Sequence, residues 1–261
     1  MAADKRMDRS MRRRIFWRLF LLQAWWNFER MQSLGLTYCL EPWFKRCGLS
    51  GRERRSAMAR HAGAYFNTQP YMAAFIAGMV CSLEQDIADA SARDKEAKVK
   101  RLSALKTAAA GALAGIGDAL FWGALRPFCA ALGLVIGLLL IRRGMSAFGL
   151  GIAAVYLVIF NAPSLWVRYE GIVLGYRWGE QLPFKLKQFP VQAWIQRLRL
   201  AGAAMAAAVL VYALWDLAGQ RLIGITAFAI YALILEKRPQ SWTSLYGATC
   251  GLGVLAAVGR S

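Results

Sequence analysis

Residues 107–125 read TAAAGALAGIGDALFWGAL, a stretch whose one charge is Asp118. Glycines at 111, 115 and 117 let a second backbone come close, and Arg126 with Pro127 ends the run. A segment this apolar needs lipid or protein around it on every side. The whole composition agrees: 57% of the 261 residues are hydrophobic and 18% charged, against about 25% charged in an ordinary soluble domain. The apolar segments follow one another too closely to leave room for a separate soluble module.

Upstream, residues 62–83 carry no charge and are long enough to cross a bilayer, yet Asn67, Thr68, Gln69 and Pro70 sit inside them. Proline removes a backbone donor and disfavours helix at the residue before it, so this segment reads as a broken or re-entrant element lining a cavity. Downstream, apolar runs at 128–141 and 144–167 are separated by Arg142 and Arg143, the first short for a full crossing and the second sufficient. Glycines 171, 175 and 179 then fall on one helix face, which predicts a close helix contact. The stretch from Glu180 to Arg199 has no acid after Glu180 and reads as cytoplasmic by charge, and further apolar runs cover 200–220, 222–235 and 240–259.

At the N-terminal side, Ile15, Leu19, Leu22 and Trp26 recur at helical spacing, with Gln23, Asn27 and Arg30 on an adjoining stripe, so 15–31 reads as an amphipathic helix. Seven basic residues between Lys5 and Arg18 hold its start on the cytoplasmic face. Arg18 interrupts the apolar run too early for a signal peptide, and no small-residue cleavage site follows, so this segment is expected to be retained. The net charge of +18 is concentrated here: residues 1–60 hold 14 basic and 5 acidic side chains. This is the pattern of positive-inside topology, and no zinc finger, RNP motif or other nucleic-acid reader accompanies it. The five cysteines form no CxxC pair and are odd in number, so neither a disulfide framework nor a metal site is expected.

The informative residues are polar ones embedded in apolar sequence, each costing roughly 2 to 4 kcal/mol near a bilayer centre unless paired or wet. They form four constellations: Gln23, Asn27, Glu29 and Gln32; Asn67, Thr68 and Gln69; Asp118, Trp122 and Arg126; and Arg168, Tyr169 and Glu170. The first three contain the carboxylates and amides that fix sugar hydroxyls and the aromatic ring that covers a sugar's apolar face. The alternative is that they only tie helices together, with Asp118 and Arg126 as a buried ion pair. His61, the single histidine, has no carboxylate near it in sequence and no anion cradle, and reads as a boundary residue that caps or snorkels. No catalytic fingerprint occurs, and neither cofactor, metal nor phosphorylated residue is expected.

Four blocks carry a resemblance: WNFERMQSLGL at 26–36, RHAGAYFNTQPYMAA at 60–74, LAGIGDALFWGALRP at 113–127 and RYEGIVLGYRWG at 168–179. In order and approximate spacing they resemble the IID component of the mannose family of phosphotransferase systems, over roughly residues 12–180. That resemblance implies an all-α membrane protein with several transmembrane helices, broken or re-entrant segments and an N-terminal amphipathic helix. It implies one membrane domain over 1–261: a basic amphipathic part (1–60), a core with the sugar-site motifs (61–180) and a shortened helical part (181–261). Family members carry a longer polar insert after the GYRWG-like block than this chain does. The function implied is translocation of a hexose or amino sugar with a IIC membrane partner, as a trimer of IIC–IID pairs in the bacterial inner membrane. Cytoplasmic IIA and IIB proteins would supply the phosphoryl group through their own histidines. The substrate-binding residues carried over are Asn27, Glu29, Asn67, Gln69, Asp118, Trp122 and Arg126. A sugar-sensing or receptor subunit without transport is the second reading, and a small membrane enzyme the third.

Overall fold

The computed structural model describes residues 7–145 and 149–218. The runs at 222–235 and 240–259, and Cys250, lie outside the described residues. Two compact units are distinguished, Met1–Ala206 and Ala207–Ser261; the described part of the second is the end of helix α9. All regular elements among the described residues are helical: α1 (Arg9–Arg18), α2 (Ser33–Arg46), α3 (Gly51–Gly63), α4 (Ala73–Ala88), α5 (Ala92–Gly117), α6 (Arg126–Arg142), α7 (Gly149–Trp178), α8 (Leu182–Lys187) and α9 (Val191–Ala218).

Helix α1 is the amphipathic helix, but it starts earlier and is shorter than the spacing predicts. Asp8 caps it by accepting from the Met11 N–H at 2.7 Å, and Met7, Met11, Ile15, Leu19 and Leu22 form its buried stripe. Beyond Leu22 the chain is not helical. Residues 27–31 close a tight loop in which Met31, at φ 53°, exchanges backbone hydrogen bonds with Asn27 (3.3 and 2.8 Å). The loop is stitched to a distant segment, Gln32 N–H donating to Phe66 O at 2.8 Å and Phe66 N–H to Arg30 O at 3.3 Å. These tertiary bonds override the helical spacing, so Gln23 and Asn27 share no helix face.

Helices α2 and α3 form a hairpin, the second opened by a capping box between Ser50 and Glu53. Pro42 lies inside α2, where it can give no N–H to the carbonyl of Tyr38 four residues back; Arg18 donates to that carbonyl at 2.7 Å instead. The predicted break at 64–72 is present, between α3 and α4. Helix α4, almost entirely buried, packs chiefly on α7. Here Gly171 and Gly175 of the predicted glycine face meet Phe75, and Gly78 of α4 meets Ile172 and Tyr176. Arg12 of α1 donates to the Tyr169 carbonyl of α7 at 3.1 Å and pairs with Glu170.

Among the described residues three helical runs are long and apolar enough to cross a membrane: Ala92–Arg142, Gly151–Lys187 and Val191–Trp215. The first corrects the sequence expectation. Arg126 and Pro127 do not end the run at 107–125; it joins 128–141 through a π-helical segment, Asp118–Leu125. Pro127 falls in the first turn of α6, directly after the wide turn, and the helix runs on through it. Similarly, α7 continues through Arg168, Tyr169 and Glu170. Leu134, Leu139, Val158, Trp166 and Leu200 are exposed along these runs, a surface for lipid or a partner helix.

Candidate functional site

The site is built around the break. After α3 ends at Gly63 the chain is extended, and Thr68 anchors it on both sides. Its backbone N–H donates to Gln32 Oε1 at 3.1 Å, its carbonyl accepts Gln32 Nε2 at 3.0 Å, and its hydroxyl donates to Ala110 O of α5 at 3.0 Å. The loop carrying Asn27 and Glu29, the break carrying Asn67 and Gln69, and the helix leading to Asp118 are thus tied in one chain of hydrogen bonds.

Gln69 lies in the turn that leads into α4. Its Oε1 accepts the N–H groups of Tyr71 (2.7 Å) and Met72 (3.1 Å) and so fixes that turn. Its Nε2 is buried and has no hydrogen-bond partner among the described residues. An unserved amide donor in a buried position costs about 1 to 3 kcal/mol, which a ligand acceptor removes. Gly117 makes this placement possible: a Cβ there would lie 2.6 Å from the Gln69 Cβ, so only glycine lets α5 pass over the glutamine. The next residue is Asp118, first in the π segment.

Asp118, Trp122 and Arg126 are exposed along that segment, and Asn67 and Glu29 are exposed as well. The Asp118–Arg126 ion pair does not form among the described residues; Arg126 lies over the Trp122 ring instead, 5.5 Å from its centroid. Asn27 is half-buried and accepts the Arg30 N–H at 2.8 Å, while Glu29 pairs with Arg30 at 3.1 Å, so these two shape the loop. Reasoning from sequence missed an aromatic cluster. Tyr71 sits edge-on to Phe121 (4.9 Å), with Trp122 at 6.4 Å and Phe160 of α7 at 6.3 Å. Arg168 completes it, buried between Phe20 (4.3 Å) and Tyr71 (5.1 Å), its Nε without a partner. Arg168 was signalled by standing with Tyr169 and Glu170 at the end of the apolar run 144–167; Tyr71 gave no signal beyond following Pro70.

His61 also differs from expectation. It is fully buried, its Nε2 lies 2.8 Å from the Glu84 carboxylate of α4, its Nδ1 lies 3.5 Å from Lys106 Nζ, and its ring stacks on Phe44. Folding of α4 onto α3 brings the carboxylate that the local sequence lacks. Burial disfavours the imidazolium more than Glu84 supports it, so the His61 pKa falls below its ordinary value. Burial raises the Glu84 pKa, but hydrogen bonds from Arg60 (2.7 and 2.6 Å) and His61 outweigh it and bring it to about 2. Cys39, Cys81 and Cys129 are buried and Cys47 half-buried, and burial pushes the Cys39 thiol up to about 12. Among the described residues no group of three His, Cys, Asp or Glu is placed to hold a metal.

A helical membrane protein with a broken element, a buried free amide and an aromatic wall beside it is the class that fold and site define. Residues 6–214 match the family described as the PTS system mannose/fructose/sorbose family IID component, and the chain belongs to that family. It is similar to the mannose-specific EIID component of the phosphotransferase system of Escherichia coli strain K12, 37% identical over 176 residues, which are 67% of this chain and 58% of that one. It is 33% identical over 184 residues to the fructose permease IID component of Bacillus subtilis strain 168, covering 70% of this chain and 62% of that one. The matches thus span about three fifths of these relatives' length. Two solved structures share the fold over 96% of this chain and 97% of theirs. One, described as a membrane protein, has a TM-score of 0.70 at 26% identity. The other is the cryo-EM structure of the mannose transporter ManYZ with microcin E492, TM-score 0.57 at 27% identity.

Proposed function

We propose that this chain is the IID membrane subunit of a sugar phosphotransferase system, translocating a hexose or amino sugar together with a IIC partner in the bacterial inner membrane. The observation that carries this reading is the free, buried Nε2 of Gln69 beneath Gly117, next to the Tyr71–Trp122 aromatic wall and the exposed carboxylate of Asp118. Gln69 and Asp118 bind hydroxyls, Trp122 covers the sugar face, and Asn67, Asn27, Glu29 and Arg126 complete the rim at the IIC contact in a trimer of pairs. The phosphoryl group comes from cytoplasmic IIA and IIB proteins. Full burial of His61 supports that division of labour, because a phosphoryl donor could not reach it. Residues 1–261 act as one membrane domain.

Removing one of the hydroxyl partners should weaken sugar binding by about 1 to 3 kcal/mol; Asn67→Ala and Asp118→Asn should leave complex yield intact, whereas Gln69→Ala also loses the two backbone bonds of its Oε1 and should lower yield as well. We would titrate sugar against the purified complex for Gln69→Ala, Asn67→Ala and Asp118→Asn. Normal binding with lowered yield in all three would make these residues struts and refute the sugar site. Uptake by cells expressing the full system, tested over a panel of hexoses and amino sugars, identifies the substrate.

The seven basic residues between Lys5 and Arg18 support a cytoplasmic N-terminus. A reporter fused there should be active only on the inner side; activity on the outer side would overturn the orientation.

A further inference from the structure

The π segment that presents Asp118 and Trp122 ends against a proline. Pro127 has no N–H to give the carbonyl of Gly123 one turn back. That carbonyl accepts Arg199 Nε at 3.1 Å, from the start of α9. Gly123 leaves the room needed: a Cβ there would meet Arg199 Nη2 at 3.1 Å. One turn further along, Gly202 of α9 packs on the backbone of Phe128, where a Cβ would lie 3.2 Å from its Cα. The same solution occurs in α2, where Arg18 serves the Tyr38 carbonyl that Pro42 cannot. There the guanidinium also has a carboxylate, Glu41 at 3.0 Å. Among the described residues Arg199 forms no ion pair and is exposed, so packing does not account for it.

We infer that Arg199 is a positioning residue for the sugar site: its bond to the Gly123 carbonyl holds the wide turn Asp118–Leu125 in register, and with it the placement of Asp118 and Trp122. This rests on the sugar-site reading given above. A π turn is a strained alternative to the α-helix and persists only where its surroundings fix it. The charged donor on α9 supplies that restraint from a different membrane span. Sugar affinity therefore depends on where α9 stands, although Arg199 itself touches no sugar.

The test uses the assembled complex of this chain with its IIC partner and reads sugar affinity, maximal uptake rate and complex yield. Arg199→Met keeps the aliphatic stem and removes the donor; it should weaken apparent sugar affinity about tenfold with near-parental yield. Arg199→Lys, which still donates, should recover most of the affinity. Pro127→Ala added to Arg199→Met should also recover it, because residue 127 then has an N–H for the Gly123 carbonyl. If Arg199→Met does not accumulate, recovery of yield by Pro127→Ala supports the same role. Parental affinity in Arg199→Met, or a loss that neither Lys nor Pro127→Ala repairs, overturns the inference. Gln69→Ala and Asp118→Asn are measured beside it. Weakened binding in those two but not in Arg199→Met removes this inference alone; unchanged binding in all three removes the site reading.

Discussion

Replacing Gly175 by leucine should abolish accumulation of the folded protein. A Cβ at Gly175 would fall on the Phe75 carbonyl, 2.8 Å from its carbon and 3.0 Å from the Met79 nitrogen. A Cβ at Gly78 would in turn fall on the Ile172 carbonyl and lie 2.7 Å from the Tyr176 nitrogen. Each helix thus presses its backbone against the glycine of the other, and backbone cannot move aside as a flexible side chain would. Separating α4 from α7 dismantles the most extensive helix contact among the described residues, so the loss should exceed about 4 kcal/mol, the range reserved for disrupted cores. Gly115, with nothing within 4 Å of its Cβ position, is the control, and Gly115→Ala should stay within about 0.5 kcal/mol of the parent. Yield and thermal unfolding of both variants decide the matter; a stable Gly175→Leu protein would contradict this packing.

Glu84→Gln should cost about 3 to 5 kcal/mol, because it leaves Arg60 and the buried Lys106 without the carboxylate between them. The partners fix the histidine tautomer: Nε2–H donates to Glu84, and Nδ1 faces the Lys106 ammonium as acceptor. The pH dependence follows from both pKa shifts. His61 is held neutral with its pKa below the ordinary 6.5, so the unfolded chain takes up its proton first and stability declines as pH falls below that value. Glu84 adds stability that is complete above 4.5 and is lost as pH drops toward about 2. Both act in the same direction, so the protein should become steadily less stable in acid. Thermal unfolding of the purified complex from pH 8 to pH 4 measures this; His61→Gln should remove the decline that begins near 6.5. A parent curve flat across that window would contradict the buried neutral histidine.

What the sequence revealed was what local chemistry decides. Pro70 removes a backbone donor directly after Asn67, Thr68 and Gln69, and three polar residues in an uncharged apolar segment announce that the break is polar, so the broken element was legible. The glycine face was legible at 171 and 175, but Gly179, expected to continue it, lies past the end of α7 at φ 45° opposite Ser82. The errors came where a distant residue changes the outcome. Pro127 looked like a terminus because the group that takes over its lost hydrogen bond, Arg199, is far along the chain. Asn27 sat at helical spacing from Gln23, but Phe66 captures that segment as a loop. His61 lacked a neighbouring carboxylate until α4 folded back with Glu84. Of the candidate site, the polar groups were visible, whereas Tyr71, Phe160 and Arg168 became a wall only through packing of the α4 approach, the π segment and α7.

The backbone-to-backbone contact between α4 and α7 also sets an order of birth. Helix α4 has 16 residues, about 24 Å at 1.5 Å per residue, and the hydrocarbon layer is about 30 Å thick. It is too short to be inserted by its own hydrophobicity, and its groove on α7 does not exist until Gly171 and Gly175 have been synthesised. The ribosome makes all of α5 and α6 in between. During that interval α4 has no groove to enter, so the contact that buries it forms only after the second long span has been made. The position of the broken element is therefore set by chain that follows it, not by its own length and hydrophobicity.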